Sequence, residues 1–354
     1  MRVIAAMSGG VDSSVATARL VDAGHEVVGV HLALAKAQSN GRSRGCCTLD
    51  DARDARRVAD MLGIPFYVWD LSDQFAHDVI DNFLSEYQAG RTPNPCVRCN
   101  QSIKFKAVLD RALAMDFDAI ATGHYARVVG GSNGVELHRA EDPDKDQSYV
   151  LAVMSPEALE RTLLPLGDDV KDTVRDEAER RGLLVARKPD SHDICFIPDG
   201  DTAGFVARRV GALPGDMVDA TTGEVVGQHE GTFGFTIGQR RGLGLAGGPP
   251  RYVVDVNPSS RVVTVGPPTL LDIDRIEAID PVWHGVRVDE VTVQVRAHGE
   301  PVPARVQEDD GRVLIDLHES IRGLAAGQCV VMYDGTRVMG AATVDRTRRL
   351  AHRS

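Results

Sequence analysis

Residues 8–14 read SGGVDSS, between an apolar run, RVIAAM (2–7), and a helical pattern, SSVATARLVDAG (13–24), that stops at Gly24. Strand, glycine-rich loop and helix in that order bring free backbone N–H groups and the positive end of a helix dipole to one point. Ser13 and Ser14 add hydroxyls, so the loop suits a polyphosphate. It is not a Walker A loop, because the lysine of GxxxxGK[ST] is missing. The loop therefore reads as a holder of departing pyrophosphate rather than a mover of a γ-phosphoryl group.

The same alternation continues outward. HEVVGVHLAL (25–34), IPFYVWDL (64–71) and FDAIATGHY (117–125) read as strands. TLDDARDARRVADMLG (48–63) reads as a helix ended by Gly63, with Leu49, Ala52, Ala55, Arg56 and Ala59 at helical spacing. QSIKFKAVLDRALAM (101–115) reads as another, with Phe105, Val108, Leu109, Ala112 and Leu113 as its apolar stripe. Strands alternating with helices imply an α/β fold with a doubly wound parallel sheet. Such sheets bind ligands at the carboxyl ends of their strands, where SGGVDSS and GHY both lie.

The texture changes near residue 200. GTFGFTIGQRRGLGLAGGPPRYVVDVNPSSRVVTVG (231–266) is glycine-rich with short β-like pieces. VTVQVRA (291–297), PVPARVQ (301–307), RVLIDL (312–317), GQCVVMYD (327–334) and RVMGAATV (337–344) then alternate at period two, the pattern of a small barrel or sandwich. The expected division is 1–200, 201–268 and 269–354, with RTRRLAHRS (346–354) as a mobile basic tail.

The chain has 354 residues and a net charge of −11. No run reaches the ~18–20 apolar residues of a membrane span, and the first residues lack the apolar core of a signal peptide. A cytoplasmic protein is expected. Six cysteines are too few and too scattered for a secreted disulfide scaffold, so they read as catalytic, metal-binding or inert. The acidic total argues against a nucleic-acid partner unless a local basic patch supplies the contact. Arg91, Arg98, Lys104 and Lys106 form one such cluster, Arg240 and Arg241 another.

RTPNPCVRCNQSIKF (91–105) holds Cys96 and Cys99 in a C-x-x-C spacing that serves zinc, iron–sulfur, disulfide exchange or a nucleophilic thiolate. Asn100 reads as the N-cap of the following helix, which would put Cys99 at its acidifying end, with Arg98 and Lys104 adding to the effect. Cys195 lies in PDSHDICFI (189–197), near Lys188, His192 and Asp193. Cys46, Cys47 and Cys329 read as inert.

SGGVDSS resembles the PP-loop of ATP pyrophosphatases, found in argininosuccinate synthase, GMP synthetase, asparagine synthetase and several tRNA-modifying enzymes. Together with RTPNPCVRCNQSIKF, ATGHYAR (121–127), DPDKDQSYVL (142–151), PDSHDICFI and FTIGQRRGLG (235–244), the chain resembles the tRNA-specific 2-thiouridylases over nearly its whole length. The resemblance implies a PP-loop domain, a small central β domain and a C-terminal β-barrel. It implies ATP contacts at Ala6, Met7, Ser8, Gly9, Gly10, Val11, Asp12 and Ser13, and at Leu32 and Gly123. Cys99 would be the nucleophile and Cys195 the persulfide carrier. Asn94, Pro95 and Cys96 would meet the target base, and His124, Lys145, Asp146, Gln147 and Gln328 the tRNA. Leu32 stands where the family often has methionine, and some members carry aspartate at Cys96.

The implied reaction adenylates the C2 oxygen of the wobble uridine in Lys, Glu and Gln tRNAs, with ATP and Mg²⁺. Sulfur then replaces the oxygen. It would come from a persulfide donor such as a cysteine desulfurase, leaving a Cys99–Cys195 disulfide for a reductant to reopen. Two alternatives stay open: a PP-loop amidoligase of the argininosuccinate synthase type, and thiolation through an iron–sulfur cluster on Cys96, Cys99 and Cys195. A zinc site is weaker, since the second ligand pair is missing. A non-catalytic RNA-binding module is the remaining rival.

Overall fold

The computed structural model describes residues 1–35, 49–131, 134–189, 194–245 and 248–349. Cys46, Cys47, His192, Asp193 and the end of the basic tail lie outside the described residues.

The first part is built on a parallel sheet. β1 (Arg2–Ala6) pairs with β2 (Glu26–Ala33) on one side and β4 (Ala119–Ala121) on the other. β3 (Phe66–Asp70) extends the β2 edge and β7 (Thr162–Leu163) the β4 edge. The order β3-β2-β1-β4-β7 reverses direction at β1, so the loop after β1 opens at the switch point where such sheets hold ligands. Both faces are covered. Ile4, Val30, Leu32, Trp69 and Ile120 pack with Val97, Ile103 and Phe105. Met7, Val11 and Val15 pack with Ala55, Val58 and Ala59, and with Val174 and Ala178.

The helix stops are where the glycines place them. α1 (Val11–Asp22) is followed by Gly24 at φ +77°, and α2 (Leu49–Leu62) by Gly63 at φ +67°. The buried stripe of α2 is Ala55, Val58 and Ala59, whereas Leu49 in its first turn is exposed. The expected helix over 101–115 differs more. It begins at Pro95, runs as α-helix to Cys99, winds as a π-helix over Asn100–Ala107 and returns to α over Val108–Leu113.

The glycine-rich region carries a four-stranded sheet of Gly215–Asp219, Val225–His229, Tyr252–Asn257 and Val262–Gly266, closed over Met217, Val253, Val263 and Val265. The last region is an antiparallel barrel. Strand Asp272–Trp283 pairs with both Arg312–Arg322 and Arg337–Arg348, which closes it. Ile276, Val293, Val313, Ile315, Met332 and Met339 fill it.

The barrel does not hang free. A hairpin from the first part, β5 (Arg127–Gly131) and β6 (Gly134–His138), joins its sheet through Arg337 and His138. Tyr149 Oη donates to Cys329 O at 2.8 Å, and Arg139 lies 3.7 Å over the Tyr333 ring. His284 Nε2 meets Ala152 O at 2.9 Å.

Candidate active site

Two strand ends converge on the phosphate loop. Gly9 has φ +79°, and a Cβ there would sit 2.2 Å from Asp51 O, so only glycine fits between loop and α2. A Cβ on Gly123 would sit 2.5 Å from Ser13 N, so the GHY turn rests on the first turn of α1. The loop is braced internally. Ser8 N donates to Ser13 Oγ at 3.2 Å, and Ser13 and Ser14 hydroxyls turn back to Gly10 O at 3.2 and 2.8 Å. The N–H groups of the first helical turn have no intrahelical acceptors, a geometry that suits an anion. Ala6, Met7 and Val11 frame the loop, and Leu32 lies buried at the end of β2. His31 Nδ1 bonds Met7 O at 2.9 Å, while its buried Nε2 has no partner among the described residues.

Asp12 has a different place from the other loop residues. Lys171 Nζ donates to both its oxygens at 2.7 Å, and Tyr125 Oη donates at 2.9 Å. Lys171 is 7% exposed, so this is a mostly buried tie between α1 and the helix Lys171–Arg180. Asp12 thus braces the loop from behind. Lys188 makes a second brace. Its ammonium donates to Gly9 O at 3.0 Å, Asp51 Oδ1 at 2.7 Å and Asp54 Oδ2 at 2.8 Å. Burial alone would lower its pKa, but the two carboxylates outweigh that and hold it above the usual lysine range. Lys188, near Cys195 in sequence, is thus committed to the loop and α2. Lys171 and Lys188 carry no sequence signal for the loop, because their partners lie more than a hundred positions away.

The cysteine segment overturns one expectation. Asn94, not Asn100, is the N-cap: its Oδ1 accepts from Cys96 N at 3.1 Å and Val97 N at 3.2 Å, with Pro95 in the first turn. Cys96 therefore occupies the helix start and is exposed, whereas Cys99 sits a turn further in and is 7% exposed. Arg98 donates to Asp78 O and Gln101 Oε1, at 3.1 and 3.2 Å. The Asn100 carboxamide oxygen is buried without a partner among the described residues. Cys99 belongs to the apolar cluster with Val97, Ile103 and Phe105, and half-buried Cys195 and Phe196 pack against that same cluster. Phe196 is wedged among Phe75, Phe83 and Phe205, with centroids at 5.8, 5.3 and 5.3 Å, which anchors the Cys195 segment.

His124 links the two regions. Its Nδ1 lies 2.7 Å from Thr122 Oγ1 and its Nε2 3.4 Å from Lys104 Nζ on the cysteine helix, with the Phe105 ring at 5.7 Å. Burial first, and then the Lys104 charge, push its pKa well below the usual histidine value. The neutral ring accepts at Nε2, so Nδ1–H donates to Thr122. Asp146 also serves the fold: it accepts from Ala140 N, Ser148 N and Arg139, at 3.0, 3.1 and 3.0 Å. Gln147 Oε1 accepts from Tyr125 N at 3.0 Å. Lys145 instead lines a cavity of about 340 Å³ with Asp142, Lys171 and Arg175. Gln328 Nε2 donates to Thr92 O at 2.6 Å. Among the described residues no three His, Cys, Asp or Glu side chains are placed to share a metal ion.

Three family models match in series: a tRNA methyl transferase HUP domain over 1–199, a tRNA methyl transferase PRC-barrel domain over 203–267, and an aminomethyltransferase beta-barrel domain over 273–344. Full-length similarity is to proteins named tRNA-specific 2-thiouridylase MnmA. The Acidothermus cellulolyticus protein is 58% identical over 360 residues, covering 99% of each chain. That of Nocardioides sp. is 57% identical and covers 100% of each. That of Streptomyces coelicolor is 55% identical and covers 99% of this chain and 96% of the relative. Among solved structures, a 4-thiouridine synthetase–RNA complex with bound ATP covers 56% of this chain and 45% of that one, at 15% identity and TM-score 0.38.

Proposed function

The chain belongs to the tRNA-specific 2-thiouridylase family, and from that premise we propose how its residues carry the reaction. The activity is tRNA-uridine 2-sulfurtransfer, driven by ATP at the PP-loop. The family models' descriptions speak of methyl transfer, but the end-to-end relatives do not, and a phosphate loop beside two cysteines suits sulfur chemistry.

The uridine C2 carbonyl is amide-like and a poor electrophile. Its oxygen attacks the α-phosphorus of ATP, the α–β bridge breaks, and pyrophosphate leaves into the loop. The first-turn N–H groups of α1 stabilise the charge that builds there. Mg²⁺ would arrive with the nucleotide and be held chiefly by its phosphates. C2 now carries AMP as a leaving group. A persulfide on Cys195, loaded by a donor such as a cysteine desulfurase, supplies the sulfur. In one route its terminal sulfur attacks C2, AMP departs, and the Cys99 thiolate attacks Cys195 Sγ to release the 2-thiouridine. In the other, Cys99 attacks Cys195 Sγ first and the freed hydrosulfide attacks C2. Both leave a Cys99–Cys195 disulfide, so each turnover needs a two-electron thiol reductant. Asn94, Pro95 and exposed Cys96 face the incoming base. Wobble uridines of Lys, Glu and Gln tRNAs are the proposed targets.

The observation that carries this reading is that Cys99 and Cys195 both pack into one apolar cluster, with Cys99 on a helix tied through Lys104 to His124 of the GHY turn beside the loop. The test is mercury-gel retardation of tRNA after incubation with ATP, a persulfide donor and reductant. Cys99→Ser and Cys195→Ser are each expected to give none, and wild-type retardation by either sinks the assignment. Iron quantified in anaerobically purified protein decides whether a cluster on Cys96, Cys99 and Cys195 takes part. For the location of the protein, the structure offers one fact: no described helix is long and apolar enough to cross a membrane.

A further inference from the structure

All three parts of the molecule meet at Thr92, two residues before the cap of the cysteine helix. Its N–H donates to Ala326 O at 2.8 Å and its carbonyl accepts from Gln328 Nε2 at 2.6 Å, so one barrel turn takes both backbone groups. Its hydroxyl lies 3.3 Å from that of Thr236 in the central region. Next to it, Arg91 pairs with Glu86 at 2.7 Å and lies 3.8 Å from Asp345 in the last barrel strand. The contact is close. Gly327 has φ +86°, and a Cβ there would stand 3.1 Å from Arg91 Cβ and 3.2 Å from Thr92 N. The turn is itself bolted to the barrel, with Gly327 N to Val344 O and Val344 N to Gln328 O both at 2.8 Å.

Between this clip and the cysteines lies a stiff connector. Pro93 and Pro95 fix their own φ and keep the residues before them extended. Asn94 then sets the helix start through its two cap bonds. A shift at Thr92 has few torsions in which to dissipate before it reaches Cys96 and Cys99.

We propose that Gln328 is a positioning residue: from the barrel it holds the lead-in of the cysteine helix, so that barrel docking sets where Cys99 stands. The family resemblance gives this residue a contact with tRNA. The geometry gives its amide a protein carbonyl 236 positions away. The inference rests on the reading of Cys99 as the working thiol, and it deepens that reading with a route by which RNA held on the barrel bears on the thiol.

The two roles separate experimentally. Trypsin cuts after Arg91, Arg98, Lys104, Arg322 and Arg337, so Cys96 falls in TPNPCVR, Cys99 in CNQSIK and Cys329 in GLAAGQCVVMYDGTR. Alkylation by iodoacetamide can be followed for each thiol in the native full-length protein. In Gln328→Ala and Gln328→Glu, the Cys99 peptide is expected to label about 10-fold faster, the scale of one lost hydrogen bond. Cys329, 5% exposed beside the mutated position, stays protected and reports an intact barrel. In the thiolation assay kcat falls by a similar factor while the KM for tRNA moves less than about twofold, and Gln328→Lys, which restores a donor, recovers part of both. Unchanged Cys99 labelling with a raised KM and constant kcat overturns the proposal and leaves a tRNA contact. If Cys329 also labels faster in the alanine variant, the near-isosteric glutamate decides, because it keeps the side chain's size and replaces the donor with a charged acceptor. The labelling arm uses neither ATP nor tRNA, so it stands or falls apart from the thiolation reading.

Discussion

The phosphate loop and the cysteine helix prepare reactive centres in opposite ways. The loop is braced from every side at short range and from behind by Lys171 and Lys188. Its shape is set by the protein's own bonds. The cysteine helix is held at fewer points: by Asn94 and the barrel clip at its start, and by Lys104 against His124 in its middle. Its middle is π-wound, a form that leaves the i→i+4 ladder and is frequent at functional sites. In the proposed reaction one region must be rigid to stabilise charge, and the other must place a thiol that attacks a sulfur on a separate segment.

The largest expected effect separates the two regions by reaction step. Cys99→Ser should lose tRNA thiolation entirely yet still release pyrophosphate with tRNA present, because the loop is untouched. Pyrophosphate release measured in a single turnover checks this, and loss of both steps would mean the regions are not separable.

Gly9→Ala attacks the other side. A methyl group 2.2 Å from Asp51 O, at a φ that L-residues rarely adopt, must push the loop off α2. Pyrophosphate release should fall at least about 100-fold, a misplacement effect of the kind that costs catalysis more than folding. Cys99 labelling should stay at its wild-type rate. A Gly9→Ala enzyme with near-normal adenylation would show that the brace through Asp51 and Lys188 is not needed.

Asn94→Ala tests the cap. It removes the acceptor for Cys96 N and Val97 N and should cost about 1 kcal/mol of stability, read from denaturant midpoints at constant slope. Asn100→Ala should not reproduce that loss by a capping route, since Asn100 is inside the helix.

That contrast explains what could be read from the chain. SGGVDSS, Gly24 and Gly63 are local signals, and the structure follows them, as it follows the alternation that closes into the barrel. Asn94–Pro95 is also a local helix-start signal, but the apolar stripe from Phe105 onward pulled the expected start to residue 101. The π winding leaves no trace in that stripe, whose spacing is α-helical. Cys99 and Cys195 are named by family motifs, yet only packing brings them to one cluster. The resemblance assigns Asp146, Gln147 and Gln328 to the tRNA, while their observed bonds go to protein groups that no periodicity encodes.

The smallest effect concerns His124, which touches both regions. Its native pKa is held well below 6.5 by burial and by Lys104, while in the unfolded chain it is ordinary. Below pH 6.5 the unfolded state therefore binds a proton that the native state refuses, so stability falls as pH falls through that window. At pH 6.0 the loss from this one ring relative to pH 8 is on the order of 1 kcal/mol or less. His229 and His284, also lowered chiefly by burial, act with the same sign. His124→Gln keeps a neutral polar side chain and should flatten the pH dependence of stability between pH 7 and 5.5 by one proton's slope, leaving the other two histidines to supply the rest. An unchanged slope would mean that His124 takes up its proton in the native state, which the 3.4 Å approach of the Lys104 ammonium opposes.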